Sequence, residues 1–210
     1  MLIQILVDNI KSYIIPYAQL LCKELKDEYN FETTLIHDQN QVVKGNILFL
    51  LSCQGIFRHL ELNEYNLVVH ASDLPQGRGW SPMSWQIVEG KNEIILTLFE
   101  AVEKVDAGKI YLKEKVVFDG TELLDELQHK MSLQIMNLIK KFCTTYPNIE
   151  GYPQTGESSY YPRRQKEDSC LDIHKTIDEQ FNNLRICDNE QYPAFFHKNG
   201  IKYTLKIYKA

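Results

Sequence analysis

Two hydrophobic periods alternate along the first 145 residues. Leu2 to Val7 is a short apolar run, the pattern of a buried strand. Ser12 to Pro16 offers a helix start, with proline tolerated in the first turn. Ala18, Leu21, Cys22, Leu25 and Tyr29 then recur at the spacing of one helical face. Phe31 to Ile36 predicts a second strand. Asn46 to Leu51 predicts a third, apolar throughout as a strand covered on both faces is. Asn66 to Val69, Glu93 to Phe99 and Lys109 to Phe118 predict three more. Asp119-Gly120-Thr121 signals a turn and a helix start. Leu124, Leu127, Met131, Leu138 and Phe142 line one face of the helix that follows, which ends before Pro147. Strands alternating with helices predict an α/β fold with a mostly parallel, Rossmann-like sheet, and the later strands can add antiparallel pairs.

The rhythm breaks near residue 144. Residues 144 to 169 are rich in Pro, Gly, Tyr, Ser and charge, which predicts an irregular surface segment. A short helix is expected from about Ile173 to Leu184. Asn199-Gly200 is a two-residue hairpin turn, after which Ile201, Tyr203, Leu205 and Ile207 alternate with Lys202, Thr204 and Lys206. The expected division is a catalytic domain over 1–145 and an extension with helix and β-hairpin over 146–210. No internal repeat or low-complexity tract interrupts it.

Composition narrows the class. With 44% hydrophobic and 24% charged residues, the chain can build a core without metal or disulfide staples. The formal net charge of -5 argues against a nucleic-acid partner, whose binding rests on neutralising phosphates. The cysteines Cys22, Cys53, Cys143, Cys170 and Cys187 are odd in number and lack zinc-ligand spacing, which suits free thiols in a reducing compartment. The amino terminus opens as a strand without the charged start of a signal peptide, and the longest apolar run, Ile47 to Leu51, is too short to cross a bilayer. The expectation is a cytoplasmic protein without a membrane partner.

Candidate chemistry sits where strands end. Val7-Asp8-Asn9-Ile10-Lys11-Ser12 carries neither a dinucleotide fingerprint nor a P-loop. The site is therefore sought at other strand ends, where open α/β sheets bind ligands. His70 closes the fourth strand, and Gln76-Gly77-Arg78-Gly79-Trp80-Ser81-Pro82 follows it. Ser52-Cys53-Gln54-Gly55 closes the third, and Val105-Asp106-Ala107-Gly108 leads into another. Taken singly, a strand-end histidine is more often structural, and the glycine-containing segments are more often plain turns.

Together they say more. His70-Ala71-Ser72-Asp73-Leu74-Pro75, then Arg78-Gly79-Trp80-Ser81-Pro82, Thr97, and Val105-Asp106-Ala107-Gly108 resemble, in order and spacing, the signature of the formyltransferases that use 10-formyltetrahydrofolate. The match spans roughly residues 45 to 140. The resemblance implies His70 and Asp106 as the catalytic pair. It implies folate contacts at Ser52, Cys53, Gln54, Gly55, Ile56, Glu103 and Val105, and acceptor contacts at Ser72, Arg78, Gly79 and Trp80. It calls for no metal. One position departs: Val68 stands where the family has an asparagine that helps hold the formyl oxygen.

The remaining sequence bears on the acceptor. The short tail and acidic charge fit a tRNA poorly, and Asp8-Asn9-Ile10 replaces the phosphate loop of glycinamide ribonucleotide formyltransferases. Tyr160-Tyr161-Pro162-Arg163-Arg164, Phe181 to Arg185 and Tyr192-Pro193-Ala194-Phe195 resemble the tails of sugar N-formyltransferases. That implies a small-molecule acceptor: a nucleotide-linked amino sugar destined for bacterial surface glycans. It also implies acceptor contacts at Arg185 and Tyr192. Two alternatives stay open: a non-sugar amine, and an impaired folate-binding relative produced by Val68. The terminal hairpin leaves an edge where a homodimer can form.

Overall fold

The computed structural model describes residues 1–210. Strands β1 (Leu2–Leu6), β2 (Glu32–Ile36), β3 (Gly45–Leu50) and β4 (Asn63–His70) are joined by helix α1 (Ile15–Tyr29) and short 3-10 turns. A two-residue strand β5 (Arg78–Gly79) and helix α2 (Pro82–Val88) follow, then β6 (Glu93–Glu100), β7 (Ile110–Val117) and helix α3 (Leu124–Thr145). The last stretch holds β8 (Tyr160–Tyr161), α4 (Ile177–Arg185), β9 (Ala194–Lys198) and β10 (Ile201–Leu205). The main sheet runs β2-β1-β3-β4-β6-β7. Its first four strands are parallel, and β6 and β7 pair antiparallel. The α/β class and the mixed pairing match the sequence expectation.

Local chemistry explains the helix limits. Pro16 occupies the first turn of α1, where a missing N–H costs nothing. Asn30 ends the helix in the left-handed region, φ 56°, with its N–H on Leu25 and Lys26 carbonyls. Thr176 and Glu179 cap α4 reciprocally, so this helix starts later than the expected Ile173. Three elements escaped the hydrophobic pattern. Helix α2 is only seven residues long, too short for a clear period. Strands β5 and β8 are two residues each and exist because distant segments meet.

The two faces of the sheet differ, because alternate residues of a strand point to opposite sides. Ile3, Ile5, Val7, Ile47, Phe49, Leu67, Leu96 and Leu98 join α1 and α3 in one continuous core. Ala18, Leu21 and Leu25 of α1 and Leu127, Met131, Leu138 and Phe142 of α3 supply the helical side. The opposite face carries a row of paired residues across all six strands: Ile36, Leu6, Leu50, Val68, Phe99 and Ile110. Long loops, not long helices, cover that row, and its apolar packing splits into small clusters around Leu48 and Leu74.

Candidate active site

His70 ends β4 on the loop-covered face, beyond Val68 in the strand alternation. It is 9% exposed, and its ring stands edge-on to Phe99. Nε2 lies 2.8 Å from the Gly77 carbonyl. A carbonyl only accepts, so Nε2 carries a proton, which leaves Nδ1 as the ring nitrogen free to exchange one. The loop after β4 is held from beneath: the Thr97 hydroxyl donates to the Ser72 carbonyl at 2.6 Å, and Lys113 reaches the Leu74 carbonyl at 2.9 Å.

Asp106 comes from the β6–β7 loop. Its φ of 56° places a non-glycine residue in the left-handed region, where strain is tolerated for a purpose. Oδ2 accepts from the Gly79 N–H at 2.8 Å. His70 and Asp106 therefore grip opposite ends of Gly77-Arg78-Gly79 rather than bonding each other. Gly79 must be glycine: a Cβ there would sit 2.5 Å from the Tyr161 carbonyl. Tyr161 is on β8, which pairs with β5, so the tail forms the outer wall of this loop. Gly77 N–H donates to Ser159 Oγ, Arg78 N–H to the Ser159 carbonyl, and Trp80 N–H to the Tyr161 carbonyl.

The expected folate segment also lies at a strand end. Ser52, in the left-handed region, follows Leu51 directly after β3, and its hydroxyl accepts from Ser12 at 3.0 Å. Asp8 organises the rest: its carboxylate accepts from Gln54 N–H at 2.8 Å and Gly55 N–H at 2.7 Å. Cys53 donates its thiol to the Leu6 carbonyl, and burial pushes its pKa up to about 12, so it is a neutral donor. Ile56 and Val105 are over half exposed, as is Ile10, and Glu103 is also exposed. Apolar side chains thus face outward on the loops after β1, β3 and β6.

Several expected acceptor residues sit differently. Arg185 is fully buried. It donates to Asn182, Asn92 and the Glu122 carbonyl, and its guanidinium lies 3.7 Å from the Glu122 carboxylate. Its expected place at the acceptor is corrected: it ties α4 to the start of α3, because a buried guanidinium must be paired. Arg78 is 7% exposed and is held by Gln154 Oε1 at 2.6 Å and the Tyr160 hydroxyl at 3.3 Å. Ser72 is 1% exposed, with no partner for its hydroxyl. Neither side chain faces an open surface, and the tail covers Arg78. Trp80 is exposed, with the Arg163 guanidinium 4.9 Å above its ring. Tyr192 is exposed in the α4–β9 turn, where its backbone pairs with Asp188.

Val68 packs with Leu74, Phe99 and Ile110, so the position beside His70 offers no hydrogen-bond donor. Asn66 does not replace it, since its amide nitrogen donates to the Leu60 carbonyl at 2.7 Å. Sequence reasoning missed Asp8 and Gln154. Asp8 had a readable signal, an acidic residue at the end of β1. Gln154 had none, because its partners lie 46 or more positions away.

No family model matches the chain. Solved structures do. Methionyl-tRNA formyltransferase from Clostridium thermocellum superposes with a TM-score of 0.82 at 22% identity, covering 98% of this chain and 91% of that one. A sugar N-formyltransferase from Shewanella sp FDAARGOS_354 gives 0.73 at 17%, covering 99% and 97%. HypX from Aquifex aeolicus, in complex with tetrahydrofolic acid, gives 0.74 at 16%, covering 98% of this chain and 37% of HypX. The row of loops on the helix-free face belongs to a known architecture: this protein has the formyltransferase fold.

Proposed function

We propose that the protein is an N-formyltransferase that moves the formyl group of 10-formyltetrahydrofolate to the amine of a nucleotide-linked amino sugar. The observation that carries this reading is the two-ended grip on Gly77-Arg78-Gly79, which ties His70 and Asp106 to one short loop. The amine attacks the formyl carbon, a C–N bond forms, and the carbonyl oxygen becomes an oxyanion. The amine gives up a proton to the Nδ1 side of His70, assisted by the Asp106 carboxylate. The bond to N10 then breaks, N10 takes a proton, and tetrahydrofolate leaves. Such a step needs a proton acceptor near neutrality and a donor to the oxyanion. The exposed Ile10, Ile56 and Val105 suit the flat rings of a folate, and the exposed Trp80 with Arg163 suits an anionic, ring-bearing acceptor.

The likeness to both tRNA- and sugar-modifying structures leaves the acceptor to chemistry. The net charge of -5 favours a small molecule over tRNA, and a cytoplasmic enzyme of bacterial surface-glycan synthesis fits these features. The test is mass spectrometry of nucleotide amino sugars, small amines and charged initiator tRNA, each incubated with 10-formyltetrahydrofolate. A formyl gain on a nucleotide amino sugar is expected. Formylation of the tRNA or of a non-sugar amine alone would overturn the sugar assignment, and no gain on any arm would overturn formyl transfer. Val68 supports a second reading, a folate-binding relative with impaired chemistry. Its mark is tight folate binding with turnover no lower in His70→Ala than in the parent.

A further inference from the structure

Gln154 bridges the turn that carries Asp106 and the side chain of Arg78. Its Nε2 donates to the carbonyls of Asp106 and Gly108, each at 2.9 Å, while its Oε1 accepts from Arg78 Nη2 at 2.6 Å. Chemistry fixes this orientation. Two carbonyls can only accept, and a guanidinium can only donate, so a glutamine amide satisfies all three and a carboxylate cannot. The amide is itself held firmly. Two residues earlier, Tyr152 pairs its backbone with Ile110 in both directions, at 2.8 and 2.9 Å. Gly151 lies so close to Tyr111 and Lys109 that a Cβ would come within about 3 Å of both.

The turn it touches needs holding. Asp106 stands in the left-handed region, and within the turn the only backbone bond is a long one, Ala107 N–H to the Lys104 carbonyl at 3.3 Å. Without Gln154, two carbonyls of a strained turn lose their side-chain donor. The carboxylate that grips Gly79 then loses its fixed base, and through Gly79 so does the loop on which His70 rests. We infer that Gln154 is a positioning residue for Asp106, supplied by the tail, so that the catalytic centre is completed only when residues 152–161 dock. This rests on the formyl-transfer reading for its catalytic consequence, but not for the geometry.

The experiment compares Gln154→Glu, Gln154→Ala and the exposed neighbour Thr155→Ala with the parent, each as the full chain. Gln154→Glu is the sharp variant: it keeps the partner of Arg78 but turns an oxygen toward two carbonyls. At saturating 10-formyltetrahydrofolate and acceptor, kcat is expected to fall about 100-fold in Gln154→Glu and about 30-fold in Gln154→Ala, with the folate KM within about threefold. Thr155→Ala stays at the parent value. Hydrogen exchange of peptides covering 76–82 and 101–110 is expected to quicken in both Gln154 variants, while α1 and α3 are unchanged. A kcat within about threefold of the parent overturns the inference, as does a loss that merely follows a lower Tm. If the parent formylates nothing, the functional reading fails by itself. Positioning is then decided by exchange: faster exchange in the two peptides upholds it, and unchanged exchange overturns it.

Discussion

The two faces of the sheet are built to different rules. The helix-backed face is one continuous apolar core in which Ile5, Phe49, Leu67 and Leu98 are fully buried against α1 and α3. The loop-covered face has small apolar clusters, left-handed non-glycine residues at Ser52 and Asp106, and polar groups held by long-range bonds. Four buried polar atoms lack a protein partner: Asn63 Nδ2, Asn66 Oδ1, Ser72 Oγ and Arg78 Nε. All belong to residues 63–78, the strand and loop that carry His70. Asn63 and Asn66 lie toward the start of β4, whereas Ser72 and Arg78 fall in the loop that follows His70. Unsatisfied buried polar atoms cost stability. The helix-backed face supplies the rigidity that permits this.

The comparison breaks most sharply at His70. His70→Ala is expected to lower kcat by about 10³-fold or more while Tm stays near the parent value, because the loop face contributes chemistry more than cohesion. Steady-state kinetics beside a thermal melt checks it. Arg185→Ala is the reverse case, expected to cost about 3–5 kcal/mol by leaving Glu122 buried without its arginine. Urea unfolding measures that loss, and kcat per folded enzyme is expected to hold. An equal loss of kcat would make Arg185 part of the site after all.

Smaller effects sharpen the contrast. Val68→Asn restores a donor beside His70 and is expected to raise kcat about tenfold, near 1.4 kcal/mol of transition-state stabilisation. No rise would mean that another group already holds the oxyanion. The smallest effect concerns pH. Burial works against the charge on Glu122, but Lys130 and the N–H groups of Asp119 and Gly120 outweigh it and hold its pKa below the ordinary carboxylate value. A depressed folded pKa gives stability that is present above the unfolded value and lost as pH falls through the folded one. Urea midpoints should therefore decline below about pH 4, and Glu122→Gln should flatten that decline while lowering stability at neutral pH.

In eight of the structures that superpose, identities of 14–22% accompany TM-scores of 0.71–0.82. Fold survives because the apolar period of a strand or helix admits many residues of similar size. In the proposed reading, acceptor choice has no such tolerance, since it would turn on a few side chains such as Trp80 and Arg163. Those lie on loops, where substitution leaves the core intact.

Sequence alone determined the elements whose reasons are local. The period of α1 and α3, the apolar runs of β1 and β3, the Asn199-Gly200 hairpin, and the order of motifs through His70, Arg78-Gly79 and Asp106 are all readable in one pass. It misplaced what depends on company. The tail resemblance gives Arg185 an acceptor contact; only packing shows Asn92, Asn182 and Glu122 around it. Arg78 reads as an open group until Gln154 and β8 are laid against it. Asp8 and Gln154 gain their roles from partners that are distant in sequence. Periodicity reports which way a side chain points, and that belongs to the chain itself. Which groups it meets depends on how the sheet, its loops and the tail close around one another, and only the tertiary structure decided that.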